Sequence, residues 1–272
     1  MLQVISSLAH LQEVLHHTNK ARVLRPAERK LTKAMQKAFR VQGKSFVKGL
    51  VKYAYQFPPE IKEAIGDIPV DDLFDGSDAD SFDLFKQPIE DTGKGLLAAG
   101  AKHLLGELDV SLSFSLANPR AVTYIEQHGA ALIAKINQET RSQIKTLLRQ
   151  ATDEGWSYQK TARAIIGQYD DMAVGVPGNY TSRAERIAVT EAGEAYEEGN
   201  WIVTQDLAAG GVQLEKKWDT APELSKSGPC ENICQPNADE GWIPADQPHQ
   251  SGDDHPLGHV GCYCDELYQV KE

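Results

Sequence analysis

The stretch "ANPRAVTYIEQHGAALIAKINQETRSQIKTLLRQATDEGW", residues 117–156, decides the fold class. Asn118 is a good N-cap, and Pro119 brings the pre-set φ of a first helical turn at a position where a missing N–H costs nothing. Val122, Ile125, Leu132, Ile133, Ile136, Ile144, Leu147, Leu148 and Ala151 then mark one apolar stripe, and Gly155 supplies a natural stop. Working outward, Ser157 caps a shorter helix, "YQKTARAIIGQY", and "GVPGN" makes a turn. Ser182 and Glu185 form a capping box that opens "RAERIAVTEAGEAYEEGNWIVTQDLAAG". These signals predict a helical core over residues 95–210.

Upstream, residues 1–56 read as a basic helical arm, with a helix from about Pro26 to Tyr55. Leu31, Met35, Ala38, Phe46 and Leu50 give it an apolar face. Arg29, Lys33, Lys37, Arg40, Lys44 and Lys48 recur every three or four residues and so share another face. That stripe is either a solvated helix surface or a contact for a polyanion, DNA phosphate or an acidic protein. Residues 57–94, rich in Pro, Gly and Asp, read as an acidic linker that docks through Ile68, Val70, Leu73, Phe74, Phe82 and Leu84. Within it "DGSDAD" lacks the glutamate that completes an EF-hand loop.

The chain has 272 residues and a net charge of −11, but the charge is segregated. Residues 19–52 hold eleven Lys or Arg against Glu28 alone, whereas residues 57–91 hold eleven acids against two lysines. Such polarity suits an electrostatically organised molecule with one basic arm. No apolar run approaches the length of a membrane span, and the first twenty residues lack a signal-peptide core, so the expected compartment is the cytoplasm.

Past Gly211 the texture changes. "VQLEKKWDT" and "CYCDELYQV" look like strands in a small, irregular element spanning residues 211–272. All four cysteines fall here: Cys230, Cys234, Cys262 and Cys264. Two short ligand pairs separated by a loop are how a chain builds a tetrahedral zinc site. If Cys262 and Cys264 lie on a strand, they point to opposite faces. The natural ligands are then Cys230, Cys234, His259 and one of Cys262 or Cys264. The alternative is a site made of all four cysteines, if the strand turns there, and His255 and Asp254 are spare ligands. Disulfides or free thiols compete with this reading. A catalytic zinc would draw on Asp253 or Asp254 as a base, but no HExxH or HxE signature accompanies the cluster. The fold class expected is mainly α, with a small irregular β, metal-stapled C-terminal element (α+β overall).

Three of these features together resemble the phage Mu F-like head morphogenesis proteins, minor head proteins of tailed bacteriophages and prophages. They are the helical stretch from Ala117 to Ile165; the Arg-x-x-x-Thr-Glu signature matched by Arg186, Thr190 and Glu191, with Gly199 beyond; and the paired cysteines followed by "HVGCYC". The likeness covers residues 95–266. It departs from the family at Val260, where a proline is usual, at Tyr263, where an arginine is usual, and in the three-residue gap between Cys230 and Cys234. The resemblance implies a non-enzymatic virion component, made in the host cytoplasm and carried inside the head near the portal vertex, that assists head assembly or DNA packaging and ejection. It implies the portal as partner, with the major capsid or scaffolding protein and non-specific DNA as further ones, and no membrane. The structural zinc and a structural ion-pair role for Arg186 and Glu191 fit it, with Arg186 pairing with Glu194 and Glu191 either pairing with Arg183 or capping another helix. The competing functions are a metal-dependent hydrolase built on the Cys/His/Asp tail, and a non-specific DNA-binding module acting through the basic stripe.

Overall fold

The computed structural model describes residues 2–56, 78–175, 182–222, 224 and 230–271. The protein is mainly helical, with a small antiparallel sheet. Its elements are α1 (Leu2–Gln56), α2 (Asp78–Glu107), α3 (Pro119–Asp153), α4 (Tyr158–Val174), α5 (Arg183–Ala209), β1 (Leu214–Asp219), α6 (Cys234–Asp239), β2 (Ile243–Pro244) and β3 (Asp265–Val270).

Local signals set most helix ends. The backbone N–H of Arg120 donates to the Asn118 side chain at 2.9 Å, that of Lys160 to Ser157 Oγ at 3.3 Å, and that of Glu185 to Ser182 Oγ at 3.1 Å. Each satisfies a donor that the first helical turn leaves orphaned. Gly155, at φ +64°, ends α3 in the left-handed region that a side chain would resist. Two boundaries differ from the sequence reading. Pro26 lies inside α1, not at its start. Arg22, whose carbonyl loses its helical donor there, is exposed, so water can replace the missing bond. Residues 78–94, read as part of an irregular linker, belong to α2, which contains Pro88. Buried Phe85, Ile89, Thr92 and Leu96 repeat at helical spacing and outweigh the proline. Residues 57–77 of that segment, with the start of "DGSDAD", lie outside the described residues.

The chain forms two compact units. One comprises Thr32–Glu90 and Glu126–Glu185. Its core joins Met35, Phe39, Phe46 and Leu50 of α1, Phe85 of α2, Ile133, Ile136, Ile144 and Leu148 of α3, and Ile165 and Tyr169 of α4, all buried. The rings of Phe39 and Phe85 meet edge-on, with centroids 5.3 Å apart. Arg183 is anchored here. It donates to Thr140 Oγ1 at 2.8 Å, the Ile136 carbonyl at 3.0 Å and Glu139 at 2.9 Å.

The other unit comprises Met1–Leu31, Asp91–Ile125 and Arg186–Glu272. In it α2 and α5 cross at two glycines. A Cβ on Gly100 would stand 2.0 Å from the Tyr196 carbonyl oxygen, and one on Gly199 would stand 2.1 Å from that of Leu97. Each glycine therefore lets a neighbouring backbone approach where no larger residue fits. Leu24, Leu96, Val189, Tyr196, Ala221 and Tyr263 pack as one core cluster, and Leu104, Val203, Leu207, Leu214 and Tyr268 are among a second. The sheet order is β2–β1–β3, with Leu214 opposite Val270 and Asp219 opposite Asp265. Val122, expected on the buried stripe of α3, is exposed, and Ala121 is buried in its place.

Candidate metal centre

Cys234 is the first residue of α6 and is fully buried. A tight turn leads into it, closed by a 2.8 Å bond from the Gln235 N–H to the Cys230 carbonyl. A second turn brings the Cys262 N–H to the His259 carbonyl at 3.1 Å, with Gly261 between them at φ +73°. The two turns face each other. Cys230, Cys234 and His259 place their ligand atoms within 4.8 Å of one another, and so do Cys234, Cys262 and Cys264. Cys234 belongs to both groups, so all five predicted ligands gather about its sulfur.

The leading sequence reading admitted only one of Cys262 and Cys264, on the assumption that they lie on a strand. They do not: β3 begins at Asp265, and the irregular backbone before it turns both thiols toward Cys234. All four cysteines are free thiols. Cys234 Sγ and Cys262 Sγ are 3.8 Å apart. Tetrahedral zinc with bonds of about 2.3 Å to sulfur sets neighbouring sulfurs about 3.8 Å apart. Cys230 Sγ lies 3.1 Å from His259 Nε2. The donor chemistry therefore fits a thiophilic ion held by Cys234 together with Cys230 and His259, or by Cys234 together with Cys262 and Cys264. Cys262 accepts the Cys264 backbone N–H at 3.4 Å, and the neighbouring thiols of Cys234 and Cys264 pull its own thiol down to about 4. The same sharing, with burial, pushes the Cys234 thiol up. One thiolate held by two thiols is a suitable starting point for metal capture.

The centre is packed as a core: Trp218 and the four cysteines form one buried cluster, flanked by Ala238 and Leu257. His255 and Asp254, named as spare ligands, belong to neither ligand group. His255 Nε2 instead faces Glu198 at 3.2 Å. Asp253, the other candidate base, accepts from Ser251 Oγ at 2.7 Å.

Three contacts fasten the cysteine loop to the helices of the same unit. Thr190 Oγ1 accepts the Gly261 N–H at 2.9 Å while donating to the Arg186 carbonyl one turn back. Gly193, one turn on, leaves room for Leu257, which a Cβ would meet at 2.9 Å. Lys20 donates to the Cys264 carbonyl at 2.6 Å and pairs with Glu197 and, at 3.2 Å, Asp265. Burial alone would lower the Lys20 pKa, but Asp265 and Glu197 outweigh it and hold it above the usual lysine range. Of the Arg-x-x-x-Thr-Glu signature, Thr190 bonds to the loop. Arg186 is exposed, with no ion pair to Glu194 among those described. Lys20, Glu197 and Gly193 were not singled out from the sequence. The 3.6-residue spacing of Thr190, Gly193 and Glu197 along one side of α5 was the available signal.

No protein-family model, curated protein or solved structure matches this chain. No helix among the described residues is long and apolar enough to cross a membrane.

Proposed function

We propose that this is a docking protein that turns over no substrate, its C-terminal element folded by one structural zinc ion. More particularly, it is a portal-associated minor head protein of a tailed phage or prophage, assembled in the host cytoplasm and carried inside the head. The observation that carries the first part is the closure of the cysteine cluster. Cys234, Cys262 and Cys264 are buried against Trp218, so an ion held at their sulfurs sits inside a packed core, as a structural zinc does. The carboxylates that a hydrolase would need, Asp253 and Asp254, contribute to neither ligand group. Zinc bound this way is worth roughly 10 kcal/mol or more of folding free energy at neutral pH, ample for an element so short of apolar residues. The second part is supported by the resemblance of residues 95–266 and by Thr190, a signature residue that bonds directly to the loop carrying Cys262.

Two measurements test the reading together. Elemental analysis of the purified protein should return one zinc per chain, removed by a chelator with loss of structure confined to the tail. Co-expression with the portal protein encoded in the same genome should then recover a stable complex. Protein that holds no metal and keeps its tail folded refutes the zinc, and a portal that never co-purifies refutes the head assignment.

A further inference from the structure

Within the unit formed by Thr32–Glu90 and Glu126–Glu185, α1 presents Lys33, Lys37, Arg40, Lys44 and Lys48, all exposed. At 3.6 residues per turn and 1.5 Å per residue, these five fall within an arc of about 80° along about 22 Å of helix. Arg40 meets Asp170 at 3.3 Å, with both side chains about half exposed, a pair that solvent keeps weak. The four lysines have no ion-pair partner among the described residues. From Arg29 to Gln56 the sequence carries eight Lys or Arg and no acid, in a chain whose net charge is −11. An unneutralised ladder of like charge is held at a standing electrostatic cost, which a matching anion relieves.

We propose that this stripe binds the phosphate backbone of duplex DNA without reading its sequence. The residue types separate DNA from the other polyanions. Protein interfaces are depleted in lysine and enriched in arginine and aromatics, whereas this surface is four lysines and one arginine. Single strands are held by aromatic platforms, and the aromatic residues between Thr32 and Lys52, Phe39 and Phe46, are both buried. Of the amides on this part of α1 that could reach a base edge, Gln42 is buried and half-buried Gln36 lies outside the arc of the five charges. What is left is a row of point charges suited to phosphates. The inference is independent of the zinc centre and of the virion assignment.

The test uses the intact chain and a fluorescent duplex of about 30 base pairs, followed by anisotropy across salt. Five phosphate contacts predict a slope of log K against log[salt] of about −4.5, a roughly 500-fold loss of affinity between 50 and 200 mM. Replacing Lys37 and Lys44 by glutamine should flatten the slope to about −2.7 without changing the circular dichroism. Duplexes of unrelated sequence should bind alike, and an equal-length single strand more weakly. No binding at 50 mM salt, or a double variant with the parent slope, overturns the proposal. So does a single strand that binds as tightly as the duplex. Loss of the portal complex in the double variant, with no DNA binding by the parent, would assign the stripe to an acidic protein surface instead.

Discussion

Gly100 and Gly95 sit on the same helix, five residues apart, and the same substitution should move stability in opposite directions. A methyl group at Gly95 meets nothing within 4 Å, so Gly95→Ala changes only backbone entropy and helix propensity. It should stabilise the protein by about 0.5–1 kcal/mol. At Gly100 the new Cβ would lie 2.0 Å from the Tyr196 carbonyl oxygen and 2.9 Å from its carbon. Carbon and oxygen need roughly 3.2 Å, so α2 and α5 must part by about 1 Å, and a gap of that size forfeits a quarter to a half of each contact's dispersion energy. Leu97, Ala101, Tyr196 and Val203 line this crossing and are buried, so the loss spreads over many atom pairs. With the propensity gain set against it, Gly100→Ala should destabilise by about 2–3 kcal/mol. Urea denaturation of both variants, followed by far-UV circular dichroism, reads the two midpoints directly. If Gly100→Ala unfolds at or above the parent midpoint, the close crossing is not a feature of the folded protein.

Three further substitutions probe the joints of the same unit. Lys20→Met leaves Glu197 and Asp265 buried without their cation and should cost about 3–5 kcal/mol by chemical denaturation. Thr190→Val keeps the shape but removes the acceptor for the Gly261 N–H. It should lose about 1–2 kcal/mol and release metal faster to a colorimetric chelator. The third concerns pH. Burial opposes the charge on His255, but its hydrogen bond to Glu198 prevails and raises its pKa above 6.5. A histidine raised in the folded state adds stability that is complete below pH 6.5 and is lost as pH rises through the folded value. Glu198→Gln should flatten that decline in thermal melts taken between pH 6 and 8, and an unchanged pH profile would show that the pair adds nothing.

What could be read from the sequence was what neighbouring residues decide. Asn118, Ser157 and Ser182 cap helices where their side chains predict, because a cap bonds within its own first turn. Gly155 ends α3 for an equally local reason. The two strands were legible, but their ends were not. Extending β3 back over Cys262 and Cys264 split a pair that the structure brings together. Pro26 and Pro88 look like boundaries in isolation, yet buried residues on either side carry α1 and α2 through them. Least visible were the contacts that span the chain. Lys20 reads as one more cation of a basic arm, and nothing near it announces two buried carboxylates. The cluster that could hold a metal was recognisable because thiols and imidazoles are scarce and lie close together in the sequence. How Thr190 and Gly193 seat their loop depends on the angle at which it meets α5, which no local pattern encodes.

The grip of Lys20 on the Cys264 carbonyl joins residues 244 positions apart, and that of Glu28 on Tyr263 joins residues 235 apart. At about 5–20 residues per second, a ribosome takes roughly 12–50 s to travel between the first pair. Throughout that interval Lys20 and Glu28 lack these partners, and that stretch of the opening helix stays open to chaperones or to an assembling neighbour. Synthesis order therefore makes the last-formed turn a latch: the molecule becomes whole only once Cys264 has emerged and closed on a helix made long before.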